Sequence, residues 1–264
     1  MIHKLAVVAL GLLVSATAWA DLPPGYRVEV ITENDPPLNV SANGTNFAKD
    51  KDVTGVSTEI LRAVFKRAGI NYRLTLRYPW SKIYLLAKTM PNYGIYSINR
   101  SDMRNKLFKW VGPLSESAHA AIAKRGSNIK ITGLQSLASY KVGTYKGDYA
   151  DEFLNDNGIP HVDTLDNSTS LEKLMNGEID IWVTRTASLP YFARREGVNL
   201  NDLENLKVLS TTQQYLALNL NTPDEVVNRL NNALKDLERN GTVDKIRKQY
   251  AEKDPIYAAL LQHK

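Results

Sequence analysis

Two arginines, Arg100 and Arg104, follow a short apolar run, Gly94 to Ile98, in the stretch GIYSINRSDMRNKLFKWVGP. A guanidinium held after a strand end can take a planar carboxylate through two parallel hydrogen bonds, where a lysine offers only a mobile point charge. Solvated surface arginines are the plain alternative for both. Further chemistry-bearing residues stand after other predicted strands: Glu33-Asn34-Asp35-Pro36-Pro37, Tyr78-Pro79-Trp80, Thr144 to Tyr149, and Thr184 to Thr186. Open α/β sheets bind ligands at the carboxyl ends of their strands, so these five segments form the candidate site. Trp80 can stack on an apolar stem or face a cation there, or serve as core. Trp110 and Trp182 lie inside apolar runs and read as core.

The elements that must position these residues alternate between strand and helix. Tyr26 to Thr32 reads as a strand with Val28 and Val30 on one face, Val56 to Ala68 as an amphipathic helix stopped by Gly69, and Tyr72 to Tyr78 as a second strand. After the strand at 94–98 comes turn and cap chemistry at Asn99 to Asp102, then a helical turn over Met103 to Lys106. A second unit follows: strand Tyr140 to Thr144, helix Asp148 to Asp156, a strand near Val162 to Leu165, helix Ser170 to Met175, strand Ile179 to Val183 and helix Ala187 to Arg195. Ala118 to Ala123 and Tyr215 to Leu220 read as strands that cross between units. Such alternation implies parallel α/β sheets. Near the C-terminus Thr222-Pro223-Asp224-Glu225 reads as a capping box, with Val227, Leu230, Leu234 and Leu237 on one stripe, and a last helix buries Val243, Ile246 and Tyr250.

Composition removes several function classes. The chain of 264 residues has no cysteine, which excludes disulfides, thiolate metal sites and a lipid-modified N-terminal cysteine. Lys4, the apolar run Leu5 to Val14 and Ala18-Trp19-Ala20 read as a secretory signal peptide cleaved after Ala20, giving a soluble mature chain expected in the periplasm. The mature chain carries 32 basic against 28 acidic side chains, a net +4, interspersed and without nucleic-acid motifs. His3, His119, His161 and His263 are scattered, and no HExxH, GxSxG, P-loop or GxGxxG occurs. Neither an enzyme nor a cofactor or metal is expected.

The order of these motifs resembles family 3 extracellular solute-binding proteins, the amino-acid receptors of ABC importers. The matching residues are Pro36-Pro37, the Gly55 to Gly69 helix, Pro79-Trp80, the strand-to-arginine stretch with Phe108, Trp110, Val111, Gly112 and Pro113, then Lys141-Val142-Gly143-Thr144, and LMNGEID at Leu174 to Asp180. The resemblance spans nearly the whole mature chain. It implies an α/β, two-lobed periplasmic binding protein fold of type II, its lobes hinged about a ligand cleft: residues 21–117 with 213–264 in lobe 1, and 118–212 in lobe 2. The crossing segments near Ser117 to Ala123 and Thr212 to Leu218 would be the hinge. It also implies a monomer that captures a small polar solute, an amino acid or related carboxylate, for an ABC permease in the inner membrane. A periplasmic dehydratase on the same fold, with Asp35 or Asp148 as general acid, and a ligand sensor without transport are the alternatives.

By the same resemblance Arg104 clamps the solute's α-carboxylate, Trp80 lines the pocket, and Ser97 and Asn99 stand at a strand end facing the ligand; Thr184, just after another predicted strand, is a further ligand candidate. Gly147-Asp148 starts the helix whose amides would donate to the same carboxylate. Three positions depart from the family pattern. Asp35 replaces an aromatic residue before the prolines, Asp148 and Tyr149 replace a hydroxyl residue at the helix start, with Asp148 either capping the helix or facing the ligand, and Arg185 replaces the acidic partner of an α-ammonium group, a surface arginine at a helix start being its plain alternative. Either Asp35 and Asp148 take over the ammonium, or Arg104 and Arg185 clamp an anion from both lobes.

Overall fold

The computed structural model describes residues 22–255, 257 and 258, so the expected signal peptide lies outside the described residues. Strand β1 (Arg27–Thr32) buries Val28 and Val30 against one helical layer and turns Ile31 to the opposite one, the period-two pattern of a strand covered on both faces. Short strands β2 (Val40–Ser41), β3 (Ala48–Lys49) and β4 (Val53–Thr54) lead to helix α1 (Val56–Ala68), followed by β5 (Asn71–Leu76), α2 (Trp80–Thr89), β6 (Tyr93–Asn99) and the single turn α3 (Asp102–Asn105). Then come β7 (Lys109–Lys124), β8 (Val142–Tyr145), α4 (Tyr149–Asp156), β9 (Val162–Thr164), α5 (Asn167–Asn176), β10 (Ile181–Arg185), α6 (Leu189–Arg195) and β11 (Leu203–Leu218). Helices α7 (Asp224–Arg239) and α8 (Thr242–Lys253) close the described chain.

One nine-stranded sheet runs β3-β5-β1-β6-β11-β7-β10-β8-β9, while β2 and β4 pair separately. Strands β5, β1 and β6 are mutually parallel, as are β10, β8 and β9, so each end of the sheet is an α/β unit. Between them β7 and β11, 16 residues each, form one antiparallel ladder from Lys109↔Leu218 to Lys124↔Leu203. The segments read as short crossing strands are therefore parts of two long ones. Their far ends pair with β6 on one side and β10 on the other, which makes them the bridge between two halves with separate cores.

Helix α1 occupies the expected residues, with Gly69 in the left-handed conformation at its end. Its start has no side-chain cap. Instead, Val56, Ser57 and Thr58 donate their amides to the carbonyls of Pro37 and Leu38, which fastens the loop after β1 to the helix. Gly55 permits this contact, at φ +126°, where a Cβ would stand 2.2 Å from the Leu38 carbonyl oxygen. The capping box expected at Thr222 does not form. Pro223 flanks α7 without a side-chain cap, Thr222 Oγ1 is buried without a partner, and Glu225 reaches Arg229 at 3.5 Å. The helix is also rotated slightly from the expected stripe: Val226 is fully buried with Leu230, Ala233, Leu234 and Leu237, and Val227 only half-buried. Trp182 is core, whereas Trp110 is half-buried, with its indole N–H donated to the Asn105 carbonyl at 3.1 Å.

The Gly55 contact yields an expected outcome. Gly55→Ala combines a disfavoured φ with a backbone clash, so urea unfolding should show a loss of about 1–3 kcal/mol or more. Unchanged stability would mean that the loop after β1 is not held by the start of α1.

Candidate functional site

Where the carboxyl ends of β1, β6, β8 and β10 converge, the two halves enclose a cavity of about 50 Å³. One water requires roughly 10–15 Å³, so the space suits a group of a few heavy atoms unless the halves part. All eight residues proposed from sequence line it: Asp35, Trp80, Ser97, Asn99, Arg104, Asp148, Thr184 and Arg185. Arg100 does not. It lies over Trp110 and Tyr215, 5.5 and 5.6 Å from their ring centres, and donates to Asn105 Oδ1 at 2.8 Å.

Arg104 is 1% exposed, and its backbone N–H is held by the Ser101 hydroxyl at the start of α3. Its guanidinium lies 5.7 and 5.3 Å from the ring centres of Trp80 and Tyr84. Nε and Nη2 both donate to Glu152 Oε1, at 3.0 and 2.8 Å, and Nη1 approaches the Asn99 carbonyl at 3.4 Å. One edge of the fork thus holds a carboxylate from α4, in the other half of the sheet.

Arg185 forms the second bridge. Its two terminal nitrogens meet the two carboxylate oxygens of Asp35, and its Nε donates to Ser188 Oγ at 3.1 Å. Gln214 Nε2 adds a contact to Asp35 at 3.4 Å. Two of the departures from the family pattern therefore neutralise one another: the carboxylate that replaces an aromatic residue pairs with the arginine that replaces an acid. The Arg185 side chain is only 13% exposed, so it is not a solvated surface arginine.

At the helix start Asp148 serves as the cap of α4. Asp151 N–H donates to Asp148 Oδ1 at 2.9 Å, the amide of Ala150 also faces the Asp148 carboxylate, and Gly147 N–H donates to Asp151 Oδ2 at 2.5 Å. The amides expected to receive a ligand carboxylate are thus occupied within the chain, that of Gly147 by Asp151 and that of Asp148 by the Tyr145 carbonyl at 3.3 Å, with Asp148 as the N-cap. Burial pushes the Asp148 carboxyl up to about 7, against the pull of the Asp151 amide and Arg104.

Sequence reasoning left several lining residues without a role. Glu33 accepts from the Tyr145 hydroxyl at 3.1 Å, and that hydroxyl accepts from the Trp80 backbone N–H at 2.9 Å. Burial pushes Glu33 up to about 8; the Tyr145 hydrogen bond opposes this and the Asp148 charge adds to it. His119, dismissed as an isolated histidine, is 4% exposed in the cavity wall, and burial with the Arg104 charge holds it down at about 3, so its ring is neutral. Ser97 sits at φ +57° within β6, an arrangement that costs about 1–2 kcal/mol for a non-glycine residue. This break in alternation brings Ile98 to the same core as Ile95 and leaves the Ser97 hydroxyl lining the cavity without a partner. Outside the cavity wall, Asp151, His161 and Asp163 approach metal-ligand spacing. His161 Nε2 meets Asp151 at 2.9 Å and Lys146 faces Asp163 at 3.5 Å, so ordinary pairing accounts for this group.

Residues 28–253 match the model of bacterial extracellular solute-binding proteins, family 3. The chain belongs to this family. Among solved structures, a histidine kinase sensor domain with similarity to periplasmic binding proteins matches with a TM-score of 0.74 at 22% identity, over 85% of this chain and 95% of that one. The arginine-, lysine-, histidine-binding protein ArtJ from Geobacillus stearothermophilus gives 0.71 at 19% identity, over 87% and 97%. The GluR0 ligand-binding core from Nostoc punctiforme, in complex with L-glutamate, gives 0.69 at 20% identity, over 84% and 98%. At these identities the likeness establishes the two-lobed α/β fold. No curated protein matches at the sequence level. Among the described residues no helix is long and apolar enough to cross a membrane.

Because the Asp35–Arg185 pair joins opposite halves, deleting one partner leaves a charge that parting of the halves can hydrate. Asp35→Ala and Arg185→Ala should each expand the protein in small-angle X-ray scattering, and the double variant should expand less than either. Additive expansion would mean that the two side chains do not act as a pair.

Proposed function

We propose that this protein captures a small polar solute, an amino acid or a related carboxylate, by closing two lobes over it in the periplasm for delivery to an ABC permease. The observation that carries this reading is the cavity at the junction of the halves, walled by both and crossed by two arginine–carboxylate pairs. Lobe 1 comprises residues 21–117 with 213–264 and lobe 2 residues 118–212, and the hinge lies near Ser117 to Ala123 of β7 and Thr212 to Leu218 of β11. A solute that contacts both lobes stabilises the closed state by its differential affinity. Its carboxylate takes the Nε/Nη2 edge of Arg104 in exchange for Glu152, with Ser97, Asn99 and Thr184 as neutral partners and Trp80 as an apolar wall. Polar groups in so small a space would be left unpaired by a wrong solute, which supplies selectivity. The amino-acid class draws support from the names of ArtJ and the glutamate-bound GluR0 core. A sensor subunit is the second reading, favoured by the likeness to a histidine kinase sensor domain. Both readings share the capture step.

Thermal unfolding of the mature protein against L-amino acids, their amines and amine-free carboxylates tests that step, since a solute at 100 times its dissociation constant adds about 2.7 kcal/mol. Stabilisation without consumption of the compound is the expected result; turnover would make the protein an enzyme, and no response to any compound would contradict capture. Arg104→Lys keeps a cation beside Glu152 but loses the fork. It should weaken binding of a carboxylate-bearing solute about tenfold to a hundredfold. Retained affinity would remove Arg104 from the carboxylate contact.

A further inference from the structure

The charges in the cavity wall do not balance. Asp35 and Arg185 satisfy one another, and Arg104 is matched by Glu152. This leaves Glu33 and Asp148, carboxylates presented from the ends of β1 and β8, from opposite halves and close enough for the charge of one to act on the other. The groups facing Glu33 are the Tyr145 hydroxyl, Asp148, Arg185, Asp166 and Tyr78; those facing Asp148 are the amides of Ala150 and Asp151, Arg104 and Asp151. Both nearby arginines have carboxylate partners of their own. The same cavity is lined by three acceptor-capable atoms that are buried without a partner, Asn39 Oδ1, Ser97 Oγ and His119 Nδ1, and by one such donor, Trp80 Nε1, all on residues no more than 7% exposed. Two carboxylates and three neutral acceptors around so small a volume make an environment for a compact group that donates several hydrogen bonds and carries positive charge.

We infer that Glu33 and Asp148 together form the subsite for the solute's ammonium group. The inference rests on the capture reading above. It settles the choice left by Arg185 in favour of an amine-bearing solute: Arg185 is neutralised by Asp35, and the anion-binding amides at the start of α4 are already occupied. The proton balance follows directly. Without a cation between them, closing the halves brings two carboxylates into a desolvated space, which favours their protonated forms. The ammonium group arrives protonated and keeps its protons, and each carboxylic acid that ionises to face it releases one proton to solvent. The raised positions of both groups, about 8 and about 7, put this exchange within the physiological range. For the closed ligand-free form, affinity for an amine-bearing solute therefore rises with pH, by up to about tenfold per pH unit for each proton expelled, and levels off above the higher value.

The test uses thermal unfolding of the mature protein and of the Glu33→Gln, Asp148→Asn and doubly substituted variants, at pH 6 and pH 8. The probes are the L-amino acids, the corresponding amines, and the corresponding amine-free 2-oxo acids. The expected result is stabilisation only by amine-bearing probes, at least tenfold tighter at pH 8 than at pH 6, with the pH dependence lost in the double variant and its affinity reduced. The ligand-free double variant should also be as stable at pH 8 as the parent or more so, because it carries no carboxyl whose ionisation opposes closure; this separates loss of the subsite from misfolding. Stabilisation by 2-oxo acids, or by amines with unchanged affinity in the double variant, would overturn the subsite while leaving solute capture standing. No response to any probe at either pH would overturn both.

Discussion

Charge brought out of water must find a partner, and the arrangement between the two halves of this protein follows from that constraint. An arginine or aspartate in a desolvated crevice is costly unless its opposite lies beside it. Here each half supplies one member of each pair: Asp35 and Arg104 come from the β1–β6 side, Arg185 and Glu152 from the β8–β10 side. The halves are therefore complementary only when they meet, and the pairs fix their register. Such pairs contribute more to orientation than to net stability, because the desolvation they require offsets most of their attraction.

The backbone makes this meeting reproducible. The carbonyls of Pro37 and Leu38 satisfy the amides at the start of α1, which holds the loop that carries Asp35 and Glu33. The Asn39 side chain ties the same loop to Thr32 Oγ1 at 2.8 Å. On the opposite side, Asp148 and Asp151 cap α4 and so place Glu152 one turn further along. The continuous β7–β11 ladder connects the two sides without an intervening loop, and three register shifts interrupt its pairing. Both walls are thus built on short local contacts, and the long strands set the distance between them.

Much of this was legible in the sequence because it depends on neighbours along the chain. The stripe of Ile60 and Val64, ended by Gly69, fixed α1 to the residue, and strand ends followed by Asp35, Trp80, Arg104, Asp148 and Arg185 marked the cavity wall. What escaped depends on distant partners. Nothing local indicates that Asp35 and Arg185, 150 positions apart, neutralise one another, or that Glu152 on a helix face meets Arg104. The true length of β7 and β11 was hidden because Ser115 to Ser117 and Thr211 to Gln214 lie in the bridge and lack the alternation of a strand with one buried face. Pro223 won over Thr222 at the start of α7, since Asp224 opens the helix and Glu225 turns to Arg229. His119 carried no motif, and only the pairing of β7 with β10 brings it to the wall.

Solute capture in the cavity is examined most directly at Trp80, whose indole Nε1 is buried without a partner in the cavity wall. Trp182, buried in the core of the other half, provides an internal reference. The measurement is the indole N–H resonance of both residues in ¹⁵N-labelled protein during titration with the amino acid that most raises the unfolding temperature. The expected result is a saturable shift of the Trp80 resonance, at the same concentrations that stabilise the fold, with Trp182 unchanged. Stabilisation with Trp80 unmoved would place the solute elsewhere and contradict capture between the halves.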